Sequence, residues 1–456
     1  MIRIGHLKRF KSRLAGLHSD HRRIAAGAFR VALFLLLGKA AGALKEMAVA
    51  YRYGVSDVVD AYQFTMTMAN WLPVTIVGAL SVVLIPVLVR SRDEDDAQRR
   101  RFLGELQGWI ILLGVLLAVG IYVAWPWVLE WAGAGLDAET RRMSMQLTLA
   151  FAPAALLTLM TGISAARLRA RERHINTLLD SVPAMVILVW VLLATTATDV
   201  GPLLWGTLIG YAIQSAWLLW LAGRADGMIG RPRLSFSTHH WPDLVKAAGV
   251  MLIGQVAMSF VGPIDQYTAA NLGANANATL GYAARLLSLL LGLGAASVGR
   301  AALPVLADVQ RRGDAERARR LALKWSVLMG GAGGVVTVAG WWLSPWMVAL
   351  LFERGAFTAE DTQRVAEVMR WGLLQMPFYF GVLILVQLLA SQNRYRIMAA
   401  IAIANFLLKA VMNAVLAPIM GVSGIMLATS LMYALSYLCY VAVALRRPPA
   451  QDGAAA

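Results

Sequence analysis

Residues 61–89 read AYQFTMTMANWLPVTIVGALSVVLIPVLV, and no charged side chain interrupts them. A transmembrane helix needs about 20 consecutive, mainly apolar residues, so this run can cross a bilayer. Eleven further runs have a similar character. Together the apolar runs fall at about 29–50, 61–89, 107–130, 144–166, 177–198, 201–223, 244–270, 278–306, 325–351, 365–390, 397–418 and 422–445. The sequence therefore predicts an all-α polytopic membrane protein with about twelve transmembrane helices.

The composition supports a membrane protein and argues against a nucleic-acid partner. Of 456 residues, 59% are hydrophobic and 15% are charged, which is too apolar for a soluble protein of this length. The net charge is +16, but most of it lies in short loops, where Lys and Arg set membrane topology. The chain has no RNA-binding motif, zinc-finger spacing or separate basic domain.

Cysteine and histidine usage gives no sign of a cofactor or of a metal site inside the membrane. The single cysteine, Cys439, cannot form an internal disulfide or a thiolate metal site. All six histidines fall in predicted loops or in the N-terminal arm. The pair His239-His240 invites comparison with a metal site, but no third ligand is near in sequence. We expect it to be an ordinary interfacial loop.

The charge of the loops alternates along the chain and predicts the topology. Arginines concentrate in every second loop, at 90–101, 167–173, 224–233, 311–320 and 394–396. Positively charged loops stay in the cytoplasm, so both termini are expected there. The predicted division is a basic cytoplasmic arm (1–28), an N-terminal six-helix lobe (29–223), a cytoplasmic linker (224–243), a C-terminal six-helix lobe (244–445) and a cytoplasmic tail (446–456).

The N-terminal arm resembles a signal peptide only in part, because Lys39, Lys45 and Glu46 interrupt the apolar run that follows it. An uncleaved arm is therefore expected.

An internal repeat supports two lobes. Residues 85–88 read IPVL and residues 303–306 read LPVL, with a basic loop after each. A six-helix unit repeated in the same orientation is a common transporter plan, with the substrate site between the halves. Prolines inside the predicted spans are expected to bend them: Pro73, Pro153, Pro263 and Pro377.

Five cationic residues lie inside the predicted spans: Lys39, Lys45, Arg285, Arg300 and Lys409. A Lys or Arg at the bilayer centre costs roughly 2.5–3.5 kcal/mol on insertion scales. These side chains should therefore face a polar cavity, a partner or an anionic ligand. The pattern indicates a negatively charged substrate.

Several segments resemble the MurJ-type lipid II flippases. The most specific is LFERGAFTAED at 351–361; GYAARLL at 281–287, GKAAGALK at 38–45 and DVVDAY at 57–62 are similar to other parts of that family. The family belongs to the multidrug/oligosaccharidyl-lipid/polysaccharide exporters of the bacterial inner membrane. The resemblance implies two six-helix lobes in a V, alternating access, and a cationic central cavity for a lipid-linked diphosphate sugar.

The chain also departs from the family pattern. The family usually has arginines where Lys39 and Lys45 stand, an arginine pair where residues 72–74 read LPV, and an acid shortly after Arg285, where this chain has Ser288. The family often has fourteen helices, and the extra pair is associated with a groove for the lipid tail. Lipid II and another undecaprenyl-diphosphate-linked saccharide, such as an exopolysaccharide unit, are both candidate substrates.

The first span offers two interpretations. Lys39 is near its middle, and Glu46 lies seven residues further on, on almost the same helix face. Lys39 and Glu46 form a structural pair in one interpretation. In the other, Lys39 and Lys45 both present their ammonium groups to the cavity, and Glu46 tunes one of them.

The remaining candidates are open in a similar way. Arg285 either contacts substrate, as the resemblance implies, or reaches the periplasmic surface, whereas Arg300 is expected to reach the cytoplasmic surface. Lys409 lies on a polar stripe that either lines the cavity or packs between helices. Asp60 is a further substrate-binding candidate, and Asp265 is a weak candidate for binding a coupling cation or for neutralising a nearby Lys or Arg.

The expected function is a flippase that moves an undecaprenyl-diphosphate-linked saccharide to the periplasmic leaflet for cell-wall or exopolysaccharide synthesis. It makes and breaks no bond, so no enzyme activity and no cofactor is expected; the membrane potential or a monovalent cation would couple transport. The expected partners are the lipid-linked substrate and membrane lipids, with the polysaccharide synthesis machinery as a further candidate. A multidrug or cation exporter and a membrane-embedded polysaccharide polymerase or ligase are the alternatives.

Overall fold

The computed structural model describes residues 19–446 except 172, 174, 228–230, 293–314 and 393, and every regular element in that part is helical. This confirms the all-α fold. The helices of the first half are α1 (Ser19–Tyr53), α2 (Asp57–Arg90), α3 (Asp96–Trp131), α4 (Ala138–Ala170), α5 (Asn176–Leu179), α6 (Val182–Leu193) and α7 (Gly201–Asp226), with a 3-10 turn at Ser91–Asp93.

The second half continues the same plan. Its helices are α8 (Trp241–Ser259), α9 (Val261–Ala270), α10 (described over 276–292), α11 (Ala315–Phe352), α12 (Ala359–Leu373), α13 (Met376–Ser391), α14 (Tyr395–Met420) and α15 (Val422–Leu445).

Eight segments of the described chain are long and apolar enough to cross a membrane, with α5 and α6 counted together as one of them, and the bent pair α12–α13 would make a ninth. The first predicted span falls on α1, the seventh on α8 and α9, and the eighth on α10. None of these helices is among the candidate membrane spans in the described residues. The count of twelve therefore stays a prediction. The second landmark of the repeat, 303–306, and Arg300 lie outside the described residues.

The four prolines expected to bend predicted spans divide into two kinds. Pro73 lies inside α2 and Pro153 inside α4, and each helix runs on past its proline. Pro263 and Pro377 instead lie in the first turns of α9 and α13, just after a break in the helix. Proline is tolerated in a first turn because the backbone N–H it lacks has no partner there. The helices of α12 and α13 meet at 41°.

Each half packs mainly on itself. In the first half α2 packs along α4, and α4 packs on α7; in the second, α11 packs on α13 and α14 on α15. One apolar cluster joins the halves and includes Phe64 and Leu147 from the first and Val365 and Leu373 from the second.

The halves also meet through hydrogen bonds at one end, which we call the seal. The backbone N–H of Ala356 donates to Tyr51 O at 2.9 Å, and the Tyr282 hydroxyl donates to Gly54 O at 2.9 Å. Gly54 and Gly355 have φ values of 59° and 63°, where a side chain is strained. The segment at 351–361 that carries the family resemblance thus forms part of the seal. The alternation of loop charge predicts that this end is periplasmic.

The linker between the halves is held against α3. The Glu105 carboxylate, on α3, accepts hydrogen bonds from Ser235, Thr238 (Oγ1, 2.9 Å) and the Trp241 indole (2.7 Å), among others. Its side chain is fully buried. The Arg233 N–H also donates to Gly104 O at 3.0 Å. The linker therefore lies along the first half up to the start of α8.

Candidate functional site

A cavity of about 710 Å³ lies between the two halves, and three of the predicted cations line it: Lys39, Lys45 and Arg285. Lys39 and Lys45 come from α1, and Arg285 comes from α10. The wall formed by α1 runs from Leu35 to Met47, so the cavity lies on the N-terminal side of the seal along this helix. At a rise of 1.5 Å per residue, Leu35 at the far end of this wall lies about 24 Å along α1 from Tyr51 in the seal.

Glu46 organises two of these cations. Its Oε1 lies 2.7 Å from Lys45 Nζ and 3.0 Å from Arg285 Nε, and its Oε2 accepts no hydrogen bond from the described residues. The Lys45 ammonium also lies 5.4 Å from the centre of the Tyr62 ring. The helical period places Glu46 on the same face of α1 as Lys39, but the carboxylate of Glu46 instead pairs with the Arg285 guanidinium from the opposite half. Of the two interpretations of α1, the Lys39–Glu46 pair is therefore wrong.

Lys39 makes no ion pair with any residue that the structure describes. Its Nζ lies 2.8 Å from the point where a Cβ on Gly292 would be. The absence of a side chain at Gly292 thus leaves room for the ammonium where α1 meets α10. Lys39 is the cation in the described wall that is most available to an anionic ligand.

The position after Arg285 explains one departure from the family pattern. Ser288 stands where the resemblance implies an acid, and its hydroxyl donates to Arg285 O at 2.7 Å. The carboxylate that pairs with the guanidinium comes instead from Glu46 on α1. The charge pair is retained, but its acid lies on the opposite half.

The sequence interpretation missed the polar wall of the cavity formed by α4, α5 and α7. Gln214 Nε2 donates to Asp180 Oδ1 at 3.2 Å, and Tyr211 lies beside them. Thr158 and Thr161 also line the cavity, but their hydroxyl oxygens are buried, without a hydrogen-bond partner among the described residues. An acid at the start of a predicted span was the one signal that could have pointed to Asp180.

Lys409 lies away from this cavity, packed between α9, α14 and α15. Its side chain is 0% exposed, and its Nζ lies 2.8 Å from Asp265 Oδ1, 2.7 Å from Ile425 O and 2.6 Å from Thr429 Oγ1. Asn413 Nδ2 donates to the same Asp265 oxygen at 2.8 Å. Of the two interpretations of this polar stripe, the structure shows packing between helices, and Asp265 neutralises Lys409.

Asp60 also lies outside the lining of the cavity. It is 1% exposed, and its Oδ1 accepts a hydrogen bond of 2.5 Å from the backbone N–H of Ala278, in the first turn of α10. The first N–H groups of a helix have no partner within the helix, so a carboxylate placed there stabilises its start. Asp60 thus joins the two halves near the seal.

Two packed helical halves, a closed end and a cavity between the halves are features of a membrane transporter. The model of the family described as "Lipid II flippase MurJ" matches residues 49–454. The chain belongs to this family, which consists of multi-pass membrane transporters and not of enzymes.

Related sequences cover most of the chain. A probable lipid II flippase MurJ from Synechocystis sp. is 28% identical over 433 residues, which is 90% of this chain and 79% of the relative. The lipid II flippase MurJ of Burkholderia cenocepacia is 23% identical over 424 residues, covering 86% and 78%.

Solved structures share the fold. A lipid II flippase MurJ in an inward closed conformation superposes with a TM-score of 0.79 at 20% identity, covering 92% of this chain and 88% of that one. An inward-facing multidrug transporter of the MATE family and MOP superfamily has a TM-score of 0.70 at 13% identity, covering 88% and 93%. At these identities the likeness concerns the fold alone.

Proposed function

We propose that this chain moves lipid II from the cytoplasmic to the periplasmic leaflet of the bacterial inner membrane, and that Lys39, Lys45 and Arg285 bind its diphosphate. The observation that carries the proposal is the convergence of these three cations on one cavity that is sealed at one end. The family membership supports the same substrate.

The cations differ in how they meet a diphosphate. Arg285 offers a planar fork that binds two phosphate oxygens, and its side chain is 40% exposed. Lys39 supplies a point charge that forms no ion pair within the described part of the chain. Glu46 holds Lys45 and Arg285 in place without substrate, and an incoming diphosphate competes with it for the guanidinium. Lys39 and Lys45 attract a phosphate through their positive charge, as an arginine would, but an ammonium group imposes a less strict binding geometry than a guanidinium.

The polar wall suits the saccharide. Asp180 and Gln214 line this wall and present oxygen acceptors and amide donors. Sugar hydroxyls can both donate to and accept from such groups. The substrate then lies with its diphosphate towards α1 and α10 and its sugars towards α4 and α7.

Transport follows from rocking of an N-terminal lobe (29–223) against a C-terminal lobe (244–445), with both termini in the cytoplasm. The seal opens on the periplasmic side as the other end closes. The breaks before Pro263 and Pro377 are the bending points. No chemistry occurs, so the barrier is conformational.

The membrane potential is the favoured driving force. Asp265, the candidate for a coupling cation, is occupied by the ammonium of Lys409. A charge crossing the membrane gains about 2.3 kcal/mol per 100 mV, and an anion moving outward follows the potential.

The candidate protein partners are the enzymes that consume the saccharide in the outer leaflet.

A drug or cation exporter fits the site less well, despite the shared fold. Such a transporter needs free acids in its cavity. The lining residues include two carboxylates, of which Glu46 is paired with two cations and Asp180 accepts from Gln214.

Complementation tests the proposal. The chain is expressed in bacteria depleted of their own lipid II flippase, as the parent and as Lys39→Ala, Lys45→Ala and Arg285→Ala variants. Lys324→Ala, an exposed lysine on α11, is the matched control. We expect the parent and the control to restore growth and the three variants to fail at equal protein levels, with lipid II held in the cytoplasmic leaflet. Rescue by all three variants would contradict the cationic site.

The saccharide needs its own test. If the parent fails to rescue, lipid-linked intermediates are extracted from the native host after depletion of this protein. Accumulated lipid II supports the proposal, whereas an accumulated exopolysaccharide precursor assigns the same site to a different undecaprenyl-diphosphate-linked saccharide.

A further inference from the structure

Three potential metal ligands meet where the linker reaches α8. The Nε2 atoms of His239 and His240 lie 3.3 Å and 3.0 Å from Glu94 Oε1. The three ligand atoms, one from each residue, all lie within 4.8 Å of one another. Glu94 follows the 3-10 turn after α2, and the two histidines immediately precede α8. The fold thus brings Glu94, from the first half of the chain, to the histidine pair.

We propose that Glu94, His239 and His240 bind one divalent cation of the zinc class. Zinc binds His nitrogen at about 2.0–2.1 Å and carboxylate oxygen at about 2.0–2.2 Å, most often in a tetrahedron. Neighbouring ligands of such a tetrahedron lie about 3.3 Å apart, which follows from those bond lengths. The nitrogen–oxygen distance is 3.3 Å for His239 and 3.0 Å for His240, so the first equals this separation and the second is slightly shorter. The site is separate from the cavity and does not rest on the proposed function.

The ligand chemistry selects the ion. Two imidazoles and one carboxylate suit zinc and its neighbours among the transition metals, whereas magnesium and calcium prefer oxygen ligands throughout. Three protein ligands leave a fourth position for water.

One side of the site is packed against the protein, and the other side faces solvent. The side chain of His240 is 9% exposed, and its ring lies 4.6 Å from the ring of Phe102. The side chain of His239 is 69% exposed, so an ion can enter from solvent. The two imidazole rings lie 4.0 Å apart. Two imidazolium groups would repel each other at this separation, whereas one divalent ion binds both rings in their neutral form.

The bound ion would fix the linker to the first half. Glu105 already anchors the linker through Ser235, Thr238 and Trp241. The metal would add a second attachment, between the loop that precedes α3 and the first turn of the second half. The linker up to His240 would then move with the first half, and the relative motion of the two halves would arise at residues after His240.

The test uses the full chain in detergent, in a parent variant whose other histidines are replaced by alanine. These are His6, His18, His21 and His174, which could bind zinc themselves. After removal of metal with a chelator, zinc is titrated and the bound metal is counted by mass spectrometry. We expect about one zinc per chain, with X-ray absorption showing nitrogen and oxygen ligands only. Excess magnesium should not displace it.

Substitutions of the ligands decide between a built site and an adventitious ion. Loss of a residue that merely orients a ligand costs about 10–100-fold in affinity, so loss of a ligand should cost at least on the order of 100-fold. We expect this for Glu94→Gln and for His239→Ala, whose exposed side chain can be removed without unfolding the chain. Glu360→Gln, an exposed carboxylate, is the control. Absence of stoichiometric zinc in the parent, or equal binding by the Glu94 and His239 variants, overturns the proposal.

Discussion

The buried pair Lys409–Asp265 gives a sharp prediction about stability. The lysine side chain is 0% exposed, and its Nζ lies 2.8 Å from the carboxylate. Removing one member of a buried ion pair leaves an uncompensated charge and costs about 3–5 kcal/mol, whereas replacing both is often neutral. We expect Lys409→Met and Asp265→Asn each to lower the free energy of unfolding by about 3–5 kcal/mol. The double variant should cost less than either single one.

The assay is equilibrium unfolding in mixed micelles, followed by circular dichroism, with all four members of the double-mutant cycle. The expected coupling energy between the two positions is at least about 3 kcal/mol, since the double variant should cost less than either single one. The exposed pair Arg364–Glu360 is the control and should give less than about 1 kcal/mol. Additive costs at Lys409 and Asp265, or single variants as stable as the parent, would refute the structural role.

Transport separates this role from a substrate contact. Because Lys409 does not line the cavity, the double variant should still restore growth in the depleted strain. A stable double variant that fails to transport would instead give Lys409 and Asp265 a part in substrate binding or coupling.

Three further predictions concern the seal, the cationic site and the linker. Gly355→Ala places a Cβ 2.2 Å from a carbonyl oxygen of α1 at a φ of 63°, so we expect distance measurements between spin labels to show loss of the sealed state. Gly227→Ala, at a φ of 68° but in open space, should leave the seal unchanged, and equal effects would contradict this account. Glu46→Gln removes the anion beside Arg285, so binding of inorganic diphosphate to the purified protein should tighten; unchanged affinity would argue against competition by Glu46. Glu105→Ala leaves the buried hydrogen-bond donors of the linker unpaired, which should destabilise its contact with α3 by about 1–3 kcal/mol. We expect faster proteolysis of the linker. Unchanged cleavage would mean that other contacts hold it.

The cationic cavity could be predicted from the sequence because the bilayer restricts where charge can lie. Lys39, Lys45 and Arg285 interrupt apolar runs, and a cation facing lipid is costly. The family resemblance predicted two lobes around a cationic cavity, and the structure brings the three side chains to one cavity. The helical fold followed from the apolar runs in the same way, because a segment within lipid must satisfy its own backbone hydrogen bonds.

The partner of Arg285 could not be predicted, because it depends on a contact between distant segments. The helical period places Glu46 near Lys39, but the guanidinium of Arg285, on the other half of the protein, takes the carboxylate. A polar stripe around Lys409 indicates a position inside the bundle, yet it does not say whether a cavity or a neighbouring helix lies opposite.

The histidine pair shows the same limit. The sequence alone does not connect His239 and His240 with Glu94, and the expectation of an ordinary loop followed from that. Glu94 lies in the first half of the chain and reaches them because the linker returns along α3.

Binding of lipid II to the purified protein in lipid nanodiscs tests the central claim most directly. A charge-assisted hydrogen bond contributes about 1.5–3 kcal/mol, which corresponds to roughly 10–150-fold in affinity. We predict that Lys39→Ala and Arg285→Ala each weaken binding by at least about tenfold, that Lys324→Ala does not, and that undecaprenyl diphosphate competes whereas undecaprenol does not. Equal affinity of the parent and both cavity variants, or competition by the neutral alcohol, would contradict recognition of the diphosphate by this site.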